Sequence, residues 1–199
     1  MKIHDISQEV FSCTVFPGDA QPVGKKVMLI KNGDVCNLTD ISMCAHNGTH
    51  VDAPYHFIDS GNTIDKVSLD RFVGKAFVTH HEGLVSAEDA STILAKASAL
   101  GNEYAKRILI GGKATVTSDA AKVFAEAGIL LIGNESQTVG PENAPKEVHL
   151  ILLGAQVVLL EGIRLGGIKD GGYLLCAQPI NLGGSDGAPC RAILISEEE

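Results

Sequence analysis

The chain has 199 residues, of which 45% are hydrophobic and 20% charged, and a formal net charge of -8 at pH 7. That balance argues against binding nucleic acid or an anionic membrane, both of which need a basic surface, and no run approaches the roughly 18 apolar residues that span a bilayer. The length predicts a single domain over residues 1–199, with an aliphatic core because aromatics are 5% and Trp is absent.

The opening MKIHDISQEV has no apolar stretch, so no signal peptide is expected. Residues 27–30 and 37–43 read as strands, the second leading into a histidine-rich segment. A strand at 75–79 precedes a helix at 86–100. Ser86 and Asp89 have the spacing of an acidic capping box, and Gly101 follows the helix end. A strand at 107–110 leads to a helix at 118–127, opened by Ser118-Asp119 and stopped by Gly128. A strand at 129–132 leads to a helix at 145–153, entered through Pro145 and ended by Gly154. Strands at 157–160, 173–177 and 192–195 complete the chain. The Gly pairs at 111–112, 166–167, 171–172 and 183–184 read as turns, and none belongs to a P-loop. Glu197, Glu198 and Glu199 read as a solvated acidic end. Strand and helix alternate in the middle of the chain, which predicts an α/β fold with mixed β-sheets and flanking helices.

The five cysteines, Cys13, Cys36, Cys44, Cys176 and Cys190, form no CxxC pair. A disulfide framework is not expected, and a reducing cytoplasm is the simplest compartment.

The segment that carries chemistry is His46-Asn-Gly-Thr-His50-Val-Asp52-Ala-Pro-Tyr-His56. His50 and Asp52 are two apart, so an extended chain turns both to one side. Gly48 permits a bend that brings His46 to the same side, and Pro54 disfavours a helix. Two imidazoles and a carboxylate suit Zn²⁺ or Mn²⁺ and leave positions open for water. His56, four residues further on, is either a fourth ligand or a free acid/base. His149 sits on an apolar helix, where a satisfied core histidine is the commoner case. Glu161 closes a strand, and a desolvated carboxylate needs a partner: a metal, an Arg or a helix cap. His80 and His81 read as a surface turn, His4 carries no pattern, and Cys44 is a packed neighbour of the cluster.

This segment resembles the hallmark HxGTHxDxPxH of the cyclase-like metal hydrolases, the family of the bacterial-type kynurenine formamidases. Every fixed position matches. Asp5-Ile-Ser7 and Phe16-Pro-Gly-Asp19 are similar to the family's opening strand and aromatic turn. Val139-Gly-Pro141, the helix bearing His149 and Leu160-Glu161-Gly162 are similar to its second metal segment. Asp186-Gly-Ala-Pro-Cys-Arg191-Ala resembles its closing strand. The resemblance implies a swivelling β/β/α fold and a dimer or higher oligomer. It also implies one metal on His46, His50 and Asp52, with Asp52 bridging to a second on His149 and Glu161, and His56 as proton shuttle. The formamidases usually carry Trp at the position of Phe16, associated with the aromatic substrate. They also usually carry an acidic Asp-x-Pro-Ser-Val-Asp run where this chain has Asn134, Glu135, Ser136, Gln137, Thr138, Val139 and Gly140.

The expectation is therefore hydrolysis of a small amide, with an aryl formamide the first substrate to try, using one or two divalent ions, Zn or Mn. A cyclic amide hydrolase, or a dehydratase or cyclase acting through the same site, is the second enzyme reading. A non-catalytic metal-binding protein is the reading from another class.

Overall fold

The computed structural model describes residues 1–197; of the acidic end, Glu197 is exposed, and Glu198 and Glu199 lie outside the described residues. The chain begins with strands β1 (Lys2–Asp5), β2 (Val23–Met28), β3 (Leu38–Ser42) and β4 (His50–Asp52). The middle runs β5 (Val73–His80), β6 (Gly83–Val85), α1 (Ala87–Leu100), β7 (Arg107–Gly111), β8 (Ala114–Val116), α2 (Ser118–Glu126), β9 (Leu131–Asn134) and α3 (Lys146–Gly154). The last part holds β10 (Val158–Glu161), β11 (Gly171–Cys176), β12 (Gly187–Pro189) and β13 (Ile193–Ser196).

Nine strands form one sheet in the order β1-β13-β11-β5-β7-β9-β10-β4-β12. Its centre, β5-β7-β9-β10, is parallel, and antiparallel strands flank it on both sides. Parallel neighbours need crossovers, and α1, α2 and α3 supply them, packing against one another in turn. Each central strand alternates between two cores. Ile108 and Ile110 of β7, with Leu159 of β10, meet the helices at Ala90, Ile93, Phe124 and Leu152. Leu109, Val158 and Leu160 point the other way. There they share a core with Val51 of β4, Ala188 of β12 and Leu194 of β13, so the sheet curls until its two wings meet over one face. Burying each such aliphatic side chain contributes about 1.5–3 kcal/mol. No helix among the described residues is long and apolar enough to cross a membrane.

The expected helices all form. Ser86 caps α1 with both bonds of the capping box, whereas α2 is capped by Thr117, one residue before the expected start. Two strands are displaced. The strand expected at 27–30 runs instead from Val23 to Met28, and Ile30–Asn32 is a 3-10 turn. β2 pairs only with β3, and both are largely exposed, so no apolar run marks the strand. The strand expected at 129–132 is Leu131–Asn134, and Leu130 just before it donates its N–H to the carbonyl of Lys106. The pair at 171–172 is not a turn but the start of β11. The Tyr104 ring covers Gly172 so closely that a Cβ there would lie 2.4 Å from it.

Candidate metal centre and active site

The loop before β4 sets the site's geometry. Asn47 closes a turn onto Cys44, its Oδ1 accepting from the Cys44 N–H at 2.8 Å. Gly48 then takes φ +70°, a left-handed conformation that other residues adopt at a cost. The turn sends Thr49 inward, where its hydroxyl donates to the Gly162 carbonyl at 2.7 Å. Along β4 the side chains alternate: Val51 enters the core, while His50 and Asp52 face the helix side. After β4, Pro54 opens a 3-10 turn, Pro54–His56, that returns His56 beside His46. The two rings lie 4.1 Å apart with a tilt of 31°.

Two other elements deliver the remaining groups. The apolar stripe of α3 buries Val148, His149, Leu152 and Leu153 together, so His149 is carried in by the helix's own packing. Strand β10 pairs with β4 so that Glu161 stands opposite His50. Glu161 Oε1 also accepts the Val139 N–H at 2.7 Å.

The orientation of the rings decides what this cluster can do. His50 Nδ1 faces the Gly48 carbonyl at 3.1 Å, and His149 Nδ1 faces the Pro145 carbonyl at 2.8 Å. A carbonyl only accepts, so each Nδ1 carries the hydrogen and each Nε2 turns its lone pair to the centre. His50 Nε2 lies 3.4 Å from Asp52 Oδ1 and 3.5 Å from Glu161 Oε2. His149 Nε2 lies 3.5 Å from Asp52 Oδ2 and 3.4 Å from Glu161 Oε1. These gaps exceed a good N–H···O hydrogen bond, and Asp52 Oδ2 has no hydrogen-bond partner although the residue is 1% exposed. Lone pairs face lone pairs in a dry site, an arrangement that a cation between them stabilises.

Protons are the alternative filling. Burial pulls the imidazoles down, but the facing carboxylates outweigh it. They hold His46 up at about 11, His50 at about 9 and His149 at about 10. For Asp52, burial pushes upward, and contacts with the three histidines reverse that and hold it well below the usual carboxylate range. A divalent ion would do the work of these protons. The donors therefore fit a metal, in two buried groups, His46, His50, Asp52 and Asp52, His149, Glu161, that share Asp52, and in a third, less buried group, His46, His56, Asp186.

Beside the cluster lies a cavity of about 230 Å³ whose wall includes His56, Phe16, Phe57 and Pro145. Phe57 stands against both His56 and His149, with ring centres 4.6 and 4.5 Å away. A larger hollow of about 490 Å³ is lined by Glu82, Lys113, Glu135 and Arg164 and has no imidazole.

The structure thus gathers His46, His50, Asp52, His56, His149, Glu161 and Phe16 around one cavity. His80 and His81 are not among them; His80 ends β5 and pairs with Asp170 at 2.7 Å. The run at 135–137 divides. Glu135 ties two loops together through the N–H groups of Gly112 and Leu165. Ser136 lends its carbonyl to the Gly162 N–H. Gln137 spans Gln8 and the Gly48 carbonyl behind the histidine loop. Sequence reasoning missed Asp186, whose Oδ2 lies 2.8 Å from His46 Nε2 and 3.0 Å from His56 Nδ1. Its Asp-Gly-Ala-Pro context was the one available signal. Asp19, Phe57 and Thr138 also line the cavity without having been expected there.

Comparison with known proteins identifies the family and the fold. The Cyclase family model matches residues 4–141. The kynurenine formamidase of Salinibacter ruber (strain DSM 13855 / M31) is 32% identical over 212 residues, covering 98% of this chain and 97% of that protein. The solved structure of a potential metal-dependent hydrolase with cyclase activity has a TM-score of 0.83 at 24% identity, covering 100% of this chain and 99% of the other. Isatin hydrolase A from Labrenzia aggregata, bound to benzyl benzoate, has a TM-score of 0.82 at 20% identity, covering 99% and 94%. At these identities the solved structures establish a common fold, the curled mixed sheet with three helices. The family match together with the full-length relative shows that this chain belongs to the Cyclase family.

Proposed function

We propose that the chain is a metal-dependent hydrolase of a small amide, with an aryl formamide as substrate. The observation that carries this reading is the buried facing of His50 and His149 onto Asp52 and Glu161, beside His56 and an aromatic-walled cavity. The S. ruber formamidase is a relative over nearly the whole chain and supports the same C–N chemistry.

His46, His50 and Asp52 would hold one divalent ion, Zn²⁺ or Mn²⁺, and Asp52 with His149 and Glu161 would hold a second. The nitrogen and oxygen donors, with no sulfur among them, suit either metal. Such an ion supplies Lewis acidity, lowering the pKa of water toward neutrality and polarising the amide carbonyl. The chain's own residues do the rest. Phe16 and Phe57 receive the aryl ring. His56 takes a proton from the attacking water and delivers it to the leaving nitrogen. Water adds to the formyl carbon, the C–N bond breaks, and formate and an arylamine leave. The proposed enzyme is a cytoplasmic homo-oligomer, dimer or tetramer, which cell fractionation and sedimentation test.

The decisive experiment strips the purified protein with a chelator, restores Zn²⁺ or Mn²⁺, and follows formate release from aryl formamides. The rate should vanish on stripping, return with metal, and fall by about 10² or more in His50→Ala. An undiminished rate in the stripped protein refutes the proposal.

A further inference from the structure

Asp186 belongs to neither of the two ligand groups that share Asp52; it forms a third cluster with His46, a member of one of them, and His56, the proposed proton carrier. Its Oδ2 is 2.8 Å from His46 Nε2 and 3.0 Å from His56 Nδ1. The rings approach one oxygen from the same side, stacked 4.1 Å apart. An ionised carboxylate has only lone pairs to offer, so each imidazole must present a hydrogen to it. The other nitrogen of His46, Nδ1, faces a second carboxylate oxygen, Asp52 Oδ1, at 2.9 Å, so in the ion-free protein both nitrogens present hydrogens, and a metal would take the place of the one on Nδ1. His56 keeps Nε2, the only nitrogen through which it can accept a proton.

The backbone holds this carboxylate in place. The Asp186 carbonyl accepts the Ala53 N–H at 2.9 Å, and the Ile64 N–H binds the Ser185 carbonyl at 2.8 Å. The next residue, Gly187, pairs with Asp52 across β12 and β4. A Cβ on Gly187 would lie 2.7 Å from the Val51 carbonyl oxygen and 2.8 Å from His46 Cε1, so the glycine leaves room both for the neighbouring strand and for the ring that the aspartate grips. The Asp-Gly pair therefore acts as one device, a clamp and the space for what it clamps.

We propose that Asp186 is a positioning residue that orients His46 and His56 through a single oxygen, tying the orientation of a metal ligand to that of the proton carrier. The inference rests on the proposed function, since it gives His56 its role there. A metal-bound imidazole commonly donates its second N–H to a carboxylate, and a catalytic base is commonly oriented by one. Here one atom serves both.

The test uses the metal-loaded protein and the variants Asp186→Asn, Asp186→Ala, His56→Ala and the double variant Asp186→Ala/His56→Ala. Imidazole tautomers are read by NMR from long-range ¹⁵N couplings, independently of turnover. Wild-type His56 should show the Nδ1–H form alone, and Asp186→Asn should show a mixture. With an aryl formamide, kcat should fall by about 10² or more in Asp186→Ala while KM changes by less than about threefold. The double variant should be no slower than His56→Ala. An unchanged His56 tautomer in Asp186→Asn overturns the proposal, as do losses that multiply in the double variant. Wild-type kcat in His56→Ala instead sinks the proton-carrier reading and leaves the tautomer measurement to judge the clamp. Asp186→Asn keeps the side-chain shape and serves if Asp186→Ala does not fold.

Discussion

His50 and Glu161 stand directly opposite each other where β4 meets β10, and His50 Nε2 lies 3.5 Å from Glu161 Oε2. Both groups are almost fully buried. A sheet register thus sets an imidazole lone pair against a carboxylate, and His149 mirrors the arrangement from α3. Such a pair is unfavourable without a positive charge between the two groups, and that charge is a proton or a cation.

The two fillings compete, so metal binding should release protons. His46, His50 and His149 are held near 11, 9 and 10, and all three bind protons at neutral pH in the ion-free protein. At pH 7.5, calorimetric titration with Zn²⁺ in buffers of different ionisation enthalpy should give at least two protons released, with affinity rising as pH rises. Release of less than one proton would contradict the assignment. The sign for stability is opposite. Imidazoles raised above their unfolded value of about 6.5 stabilise the ion-free fold fully below that pH, and this contribution fades as pH climbs toward about 9–11. Depressed Asp52 stabilises above about pH 4, and its contribution is lost as pH falls. The ion-free protein should therefore melt highest between about pH 4 and 6.5, and metal should move that optimum upward.

Gly48 offers a separate test of the loop. Its φ is +70°, but a Cβ would meet the Val10 and Cys13 side chains at no less than an ordinary 3.4 Å. The penalty for alanine is therefore backbone strain and not a clash, about 1–2 kcal/mol. Asn enters the left-handed region more readily. Gly48→Ala should lower stability by that amount and weaken metal binding, because His46 and His50 flank the bend. Gly48→Asn should lose less of both. Equal losses in the two variants would show that space, not conformation, demands the glycine.

How far the sequence reveals this site depends on how far apart in the chain its parts lie. His46, His50 and Asp52 fall within seven residues, and strand alternation with one bend brings them together. The parallel centre is equally legible, because its strands are apolar runs separated by capped helices. The wings are not. Strands β4 and β12 are three residues each, too short for a pattern, and the order β10-β4-β12 joins segments more than a hundred residues apart. Asp186 lies 140 positions from His46, and only that pairing makes them neighbours. His149 and Glu161 fall between these cases. Each has a readable local element, but only the resemblance to a family links them to the histidine loop.

Ser86 provides a control away from the site. Its hydroxyl accepts the Asp89 N–H at 3.1 Å, and Asp89 Oδ2 accepts the Ser86 N–H at 2.9 Å. Ser86→Ala removes the cap and should lower stability by about 1 kcal/mol, a fall in Tm of about 2–4 °C for a chain of this size. Because α1 packs on α2 and not on the histidine loop, metal affinity should not change. A loss of metal binding in this variant would mean that the site responds to general loosening of the fold, and the variants above would then need correction for it.

Phe16 tests what the cavity selects. It lines the hollow together with Phe57, whose ring is held in place against two imidazoles, so that the proposed aryl ring would meet both. Contact with an aryl ring is worth about 0.5–1.5 kcal/mol beyond simple burial. Phe16→Ala should therefore raise KM for an aryl formamide by roughly 3–10-fold, leave kcat within about twofold, and scarcely affect a short aliphatic formamide. Phe16→Trp should preserve or improve the aryl preference. If both substrates lose equally in Phe16→Ala, Phe16 shapes the loop and not the choice of substrate. If kcat falls and KM does not, the ring acts in the transition state, and the aromatic selectivity must be sought at Phe57.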